Sequence, residues 1–454
     1  MKIFITFICL IICTYSNSNA DELYFPSIVI GEKWETLRPD DLGWNTDKIP
    51  ALYDFLENKN SKAFILLKDG KIVLEKYFGD FTQDSNWYWA SAGKTITATL
   101  TGLAQEEGLL SINDKTSKYL GEGWTSITKE KEDLITIRHQ LTMTTGLDYG
   151  VDDSDCTEPE CLKYKADAGS QWYYHNAPYT LLENVVVSAS DESYNQYFFR
   201  KIRNRIGMNG AWFKLGFNNI YFSTPRSMAR FGLLMLGNGN WADTEVIPDK
   251  QYLNDMINTS NDLNKSYGYL WWLNGKESFM IPGTSKVFKG MLYPNAPADA
   301  YAALGKDGQI LCIAPSKGLV MVRMGDRPDE QFFISSEFTN QIWEYLNEIM
   351  DTEMSVNESE NIFGISPNPA SDYIIISLSN KELKPFVADD SPSNKELQLF
   401  AAEDKVQIFD VFGIEVMSEP IHPMTSSHRM NIERLLQGVY FIRIGNEVVK
   451  FVKM

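Results

Sequence analysis

Histidine is nearly absent from this sequence: four occur in 454 residues, and only His139 and His175 precede residue 350. Cysteine is also sparse, with five in the chain. Zinc sites built from imidazole and thiolate need more soft ligands than this, so no metal and no cofactor is expected. A Ser-His-Asp hydrolase would want its serine at a strand-to-helix elbow with glycines two positions to either side, and no such elbow is evident. Basic residues fall short too. With 42 Lys and Arg against 60 Asp and Glu, the formal charge of -18 repels phosphate backbones, so nucleic acid is not expected as a partner.

Long apolar runs are missing after the first twenty residues, which leaves no transmembrane segment in the mature chain. Those first residues, MKIFITFICLIICTYSNSNA, place Lys2 before an apolar stretch from Ile3 to Cys13 and end on small residues at Ser18 and Ala20. This is the pattern of a signal peptide cut after Ala20, and it implies export. Lipoprotein processing at Cys13 would put the bulky Ile12 where a small residue is usual. Removal of the signal takes Cys9 and Cys13 with it. Cys156 and Cys161, in DCTEPEC, could then close a short disulfide loop if geometry allows, or stay reduced, while Cys312 in QILCIAP reads as a buried strand residue.

What remains is 44% hydrophobic, enough for a large core or for two unequal domains. In AFILLKDGKIVLEKYF, two apolar runs flank Asp69 and Gly70, the pair a tight hairpin demands. Strands reappear late, in QILCIAP and LVMVRMG, after helices such as TPRSMARFGLLMLGNG, with Ser223 or Thr224 as cap, Pro225 in the first turn and Gly237 as stop. That order predicts an α+β fold: an antiparallel sheet with helices on its faces and a helical subdomain. Residues 351–361 are polar and aperiodic and read as a linker. The runs DYIIISLS, KVQIFDVFG, GVYFIRIG and EVVKFVKM predict a small β-sandwich over 362–454. A tandem repeat, SNKELKPFVADDSP followed by SNKELQLFAAEDKV, reads as an enlarged surface loop there. The expected organisation is a signal peptide at 1–20, a catalytic domain at 21–350, the linker and the sandwich.

If this domain does hydrolytic chemistry, its base must be something other than histidine, and lysine or tyrosine can serve if perturbed. In YWASAGKTITATLTGLAQEEGLL, residues Ile96, Leu100, Leu103 and Ala104 recur at helical spacing and Gly108 supplies a stop, so a helix begins close to Ser91. Residues three apart share a helix face, which brings Ser91 to Lys94. The positive end of the helix favours alkoxide on the serine and a neutral lysine, provided that burial lowers a titration that normally lies near ~10.4. The plainer reading makes Ser91 a helix cap and Lys94 a solvated side chain; Ser126 and Lys129 repeat the spacing in a charged stretch. Tyr174 and Asn176, two apart before an apolar helix, suit a proton relay and a hold on a substrate carbonyl. Lys306 and Gly308, at the start of a strand, suit charge neutralisation and close backbone approach. Lys68 and Gly70 carry the same letters in a plain turn.

Taken together in chain order, these three pairs resemble the motifs of the serine β-lactamase and penicillin-recognising hydrolase superfamily, nearest its class C-like branch of esterases, D-amino-acid peptidases and amide-oligomer hydrolases. Connecting segments such as GLLSINDKTSKYL, ITIRHQLTMTTGL and GYLWW agree, over about residues 35 to 350. The resemblance implies Ser91 as nucleophile, Lys94 as base and Tyr174 as proton carrier. It further implies Asn176 on the substrate amide, Lys306 opposite, and an oxyanion hole from the N–H groups of Ser91 and Gln309. Asp307 and His175 stand where small residues are usual, which points to a neutral or cationic ester or amide. The aromatic segments NWYW, QWYY and YLWW could line the pocket or pack the core. The final domain resembles the type IX secretion C-terminal sorting domain through GISPNPASDYIIISL, VQIFDVFG and LLQGVYFIRIGNEVVKFVKM. That implies passage across the outer membrane with the type IX machinery as partner. The rival readings are a carbohydrate-binding or spacer sandwich for that domain, and for the first domain a sensor that acylates and stops, a true β-lactamase, or an inert surface protein.

Overall fold

The computed structural model describes residues 23–29, 31–328, 335–351, 363–378, 405–410, 414–420, 427–444 and 447–454. The signal segment 1–20, most of the linker and most of the tandem repeat lie outside the described residues. The chain divides into two compact units, Met1–Thr352 and Glu353–Met454.

The first unit is built on a six-stranded antiparallel sheet. Its strands are β1 (Ser61–Lys68), β2 (Lys71–Tyr77), β3 (Trp272–Leu273), β4 (Tyr301–Gly305), β5 (Gln309–Ala314) and β6 (Leu319–Gly325), in the spatial order β2-β1-β6-β5-β4-β3. The hairpin between β1 and β2 turns at Asp69 (φ 48°) and Gly70 (φ 87°). Both are left-handed, as the twist of a two-residue hairpin requires. Strands β5 and β6 are buried at every residue, so both faces of the sheet are covered.

Alternation along the strands identifies the covers. Leu311 and Val320 meet helix α3 (Pro225–Leu236), where a Cβ on Gly232 would lie 2.5 Å from Val320. Arg323 has the opposite parity and meets Phe338 of helix α4 (Ser335–Met350) on the other face. Helix α1 (Ile49–Asn58) packs beside α4, with Phe55 stacked on Tyr345 at 4.7 Å. The caps of α3 follow the sequence: Thr224 accepts from Ser227 N–H, Pro225 opens the helix and Gly237 closes it.

Helix α2 (Lys94–Glu106) runs through the middle of the unit, buried from Lys94 to Ala104. Four threonines lie on it without stranding their hydroxyls. Thr95, Thr99 and Thr101 donate to carbonyls three or four residues back, and Thr97 pairs with Tyr194, which satisfies the rule that buried polar groups are bonded. A satellite core of Trp124, Ile135, Leu147, Leu162, Ala177 and Leu181 marks the helical subdomain. One element departs from the sequence reading. A three-stranded sheet of Trp87–Tyr88, Asn218–Ser223 and Ala211–Leu215 occupies a region that reads as helical connection. Cys156 and Cys161 are bonded, with their Cα atoms 5.9 Å apart, and Cys312 is buried and free.

The second unit is all β. A three-stranded sheet (363–366, 373–378, 427–431) and a four-stranded sheet (415–420, 405–410, 438–444, 447–453) share one core. Ile374, Ile376 and Met430 from the first meet Val406, Ile408, Ile442 and Phe451 from the second, as in a sandwich. Among the described residues, no helix is long and apolar enough to cross a membrane.

Candidate active site

Ser91 sits on a short 3-10 turn, Ala90–Gly93, that feeds directly into α2. The residue before it, Ala90, has φ 48°, a left-handed conformation that costs a non-glycine residue energy and is typical of held, functional turns. Its neighbours hold it. Trp89 is fully buried, donates its backbone N–H to Tyr221 O and gives its indole N–H to Ser223 Oγ at 2.8 Å. Gly93 lies under the Trp212 ring, where a Cβ would come within 3.1 Å.

Lys94, one turn further, is 3% exposed and donates from Nζ to Ser91 Oγ at 2.9 Å. Burial pushes its ammonium down to about 7, opposed by the charge of Asp155. The amine lies 3.8 Å from the centre of the Tyr179 ring and 5.2 Å from that of Tyr174. Burial pushes the Tyr174 phenol well up, while a hydrogen bond with Ser91 pulls the other way. The tyrosine therefore stands as a neutral hydroxyl, and the lysine is the group that can accept a proton near neutral pH.

These residues open on a cavity of about 280 Å³ whose walls include Ser91, Tyr174, Lys306 and Asp307. Trp272, Ile281, Pro282, Leu292 and Leu304 make most of the remainder apolar, with Arg327, Ser335 and Ser336 at its edge. Tyr174 stacks on Trp272 at 5.7 Å. Asp307 accepts from Tyr88 at 2.7 Å.

Of the residues singled out in the sequence, Ser91, Lys94, Tyr174 and Lys306 are thus brought together. Lys94 reaches the cavity only through Ser91, and three others, Asn176, Gly308 and Gln309, are engaged elsewhere. Asn176 gives its Nδ2 to Asp155 at 2.8 Å, and its Oδ1 is buried without a partner among the described residues. Gly308 is packed against Arg323 and Phe338. Gln309 bonds Gly325 through both ends of its amide. Lys306 stands not at the start of a strand but in a 3-10 turn, Lys306–Gly308, that follows β4, with Asp307 at φ 62°.

Two neighbours of the site lie outside the residues that the sequence singles out. Gly305 approaches the serine turn so closely that a Cβ on it would lie 2.4 Å from Trp89 O and 3.1 Å from Ala92 N. Asp155, next to the disulfide, reaches both Asn176 and the field at Lys94. Only the glycine could have been suspected, as the residue before Lys306. His175 is buried with neither ring nitrogen bonded among the described residues, and burial lowers it to about 4.

The arrangement is a serine on the wall of a largely apolar cavity with a buried lysine bonded to it, and the family model described as Beta-lactamase matches residues 57–336. This chain belongs to the β-lactamase family. Its C-terminal residues 364–454 match the secretion system C-terminal sorting domain, which implies export. The chain is 26% identical over 260 residues, 52% of its own length, to the "Putative penicillin-binding protein PbpX" of Bacillus subtilis, and spans only 62% of that relative. It is 21% identical to the 6-aminohexanoate-dimer hydrolase of Paenarthrobacter ureafaciens, covering 62% of this chain and 76% of that one. A solved structure described as "Putative 6-aminohexanoate-dimer hydrolase from Bacillus anthracis" superposes with a TM-score of 0.55 at 18% identity, over 70% of this chain and 89% of its own. The β-lactamase family thus supplies both the sheet with its helical subdomain and a serine hydrolase frame ahead of the sorting tail.

Proposed function

We infer that this member of the β-lactamase family is a secreted serine hydrolase that cleaves a small ester or amide through an acyl-enzyme at Ser91. The observation that carries the reading is the 2.9 Å contact of Ser91 Oγ with a buried Lys94 held near about 7. Lys94 Nζ takes the serine proton as Oγ bonds to the substrate carbonyl carbon, and the carbonyl electrons move onto oxygen. The proton then passes to the leaving amine or alcohol, helped by the neutral Tyr174 hydroxyl, and the carbonyl reforms as that bond breaks. Water repeats the sequence to free the acid.

The oxyanion donors in this reading are the N–H groups of Ser91 and Lys306, with Lys306 in place of Gln309. Gly305, the residue before Lys306, lies against the serine turn, whereas Gln309 stands three residues on, at the first position of β5. The Lys306 side chain lines the cavity and faces the developing charge. The apolar wall favours a hydrocarbon acyl group. A relative named for the 6-aminohexanoate dimer makes linear amides a natural first substrate. Residues 1–20 act as the signal peptide, 21–350 as the catalytic domain, 351–361 as linker and 362–454 as the type IX sorting domain.

The test compares initial rates of the mature protein and its Ser91→Ala variant on p-nitrophenyl esters, a linear ω-amino-acid amide and a chromogenic cephalosporin. Turnover lost in the variant, with an acyl adduct on Ser91 by intact mass, supports the reading. Equal rates would overturn it. One observation favours a second reading, a protein that acylates and stops: Asn176, the expected hold on the substrate amide, is spent on Asp155. A persistent adduct without steady turnover would select it.

A further inference from the structure

We propose that Arg323 is a positioning residue for acyl transfer at Ser91, acting by clamping the Lys306–Gly308 turn from behind the cavity; the role rests on the acyl-enzyme reading above.

Arg323 lies in β6, a strand buried at all seven positions, and is itself fully buried. A lone cation in a sheet core is costly unless every donor finds an acceptor. Here all five do. Nε gives to Ser61 Oγ at 2.9 Å, Nη1 to Asp307 O at 2.7 Å and Gly308 O at 3.1 Å, and Nη2 to Lys59 O at 2.8 Å and Asp326 O at 2.9 Å. The Phe338 ring covers the guanidinium at 5.1 Å. A hydrophobic side chain would fill this space without the desolvation cost, so the arginine is explained by what its fork holds rather than by packing.

Four of its five acceptors are main-chain carbonyls at the ends of β1, β4, β5 and β6, and two of them belong to the turn that carries Lys306 and Asp307 to the cavity. That turn does not hold itself. Asp307 is in the left-handed region at φ 62°, and a Cβ on Gly308 would come 3.0 Å from Arg323 Nη1. Besides the fork, the turn's main-chain carbonyls take two long bonds from the Gln309 amide, 3.4 Å each, to Lys306 O and Asp307 O, while Tyr88 holds the Asp307 side chain at 2.7 Å and the pairing of Gly305 with Gln309 closes the hairpin. The fork holds the two carbonyls at the middle and end of the turn, in the arrangement that sets Gly305 against the serine turn and Lys306 and Asp307 on the cavity wall. Arg323 touches no substrate in this scheme; it fixes the segment that does.

The test measures the acylation rate constant from the burst of p-nitrophenol in parent, Arg323→Met, Arg323→Lys and Ser61→Ala proteins, each well below its own melting temperature. Ser61→Ala removes one Arg323 acceptor and leaves both turn bonds, so it reports lost stability without a lost clamp. In Arg323→Met the acylation rate constant is expected to fall by about a hundredfold, the scale of a misplaced reacting geometry. Arg323→Lys retains part of it, ester affinity changes by about threefold or less, and Ser61→Ala acylates at the parent rate. If Arg323→Met does not fold, Arg323→Lys against Ser61→Ala makes the same comparison. Folded Arg323 variants that acylate at the parent rate would overturn the proposal, and so would a Ser61→Ala variant as slow as they are. Acylation that is unchanged in Ser91→Ala removes the acyl-enzyme reading itself, and the positioning role falls with it.

Discussion

Lys94 carries two consequences at the scale of one side chain. As the base of the proposed acyl transfer it must be neutral, so kcat/KM should rise with pH through about 7, the value burial gives it, and flatten above. Asp155 opposes that burial by favouring the ammonium. Asp155→Asn should therefore move the midpoint of the rise to lower pH, and a midpoint that stays or climbs would refute the coupling. The same burial has a price in stability. Between the folded value of about 7 and the unfolded value of 10.5, the unfolded chain binds the proton and the folded one does not, so stability rises with pH across that window. Below about 7 the full penalty is felt. Lys94→Met removes it and should raise the unfolding free energy at pH 7 by roughly 2–4 kcal/mol while abolishing acylation. Urea titrations at pH 7 and pH 10 check both signs: the gain should be smaller at the higher pH.

Two glycines separate the elements that form the site from those that only support it. Gly305, at the end of β4, faces backbone on the serine turn, which cannot swing aside. Gly305→Ala should cost about 1–3 kcal/mol and slow acylation as well, because relief comes only by displacing Ser91 or the Lys306 turn. Gly102, in mid α2, would press a Cβ to 2.1 Å from Tyr252 Cε1, a ring pinned by its bond to Ala98 O. Gly102→Ala should cost a similar amount, about 1–3 kcal/mol, yet leave acylation unchanged in the protein that folds. Burst kinetics beside thermal melts would tell these outcomes apart. The elements that could be read from the sequence were those with period and punctuation: the Asp69-Gly70 hairpin, α2 stopping at Gly108, α3 with its cap and proline. The two residues of β3 are too few to show any period, and the strand pair 211–223 is short and half exposed. For the site, three-residue spacing sufficed for Ser91 and Lys94, since a helix turn fixes their meeting. Nothing local fixes Asp155, Gly305 or Arg323, which arrive by disulfide loop, sheet register and strand burial. Asn176 kept its expected position in the chain but turned to Asp155, a partner no spacing reveals.

Across the whole molecule, the catalytic constellation and the sorting domain draw on different cores. The large cluster runs from Trp34 to Ile349 and contains every aromatic and aliphatic side chain that backs Ser91, whereas the C-terminal cluster runs from Ala370 to Phe451. Among the described residues, none belongs to both clusters. A sandwich of short strands buries a smaller fraction of its surface than the larger unit and is the less stable in expectation. The full chain should therefore melt in two calorimetric transitions, the lower one belonging to the sorting domain. A chain ended at Asp351 should lose that lower transition, keep the upper one within about 2 °C, and retain kcat/KM within about twofold on the best ester, since independent units act additively. A single shared transition, or a truncated chain that acylates slowly, would mean that the C-terminal unit is part of the catalytic fold.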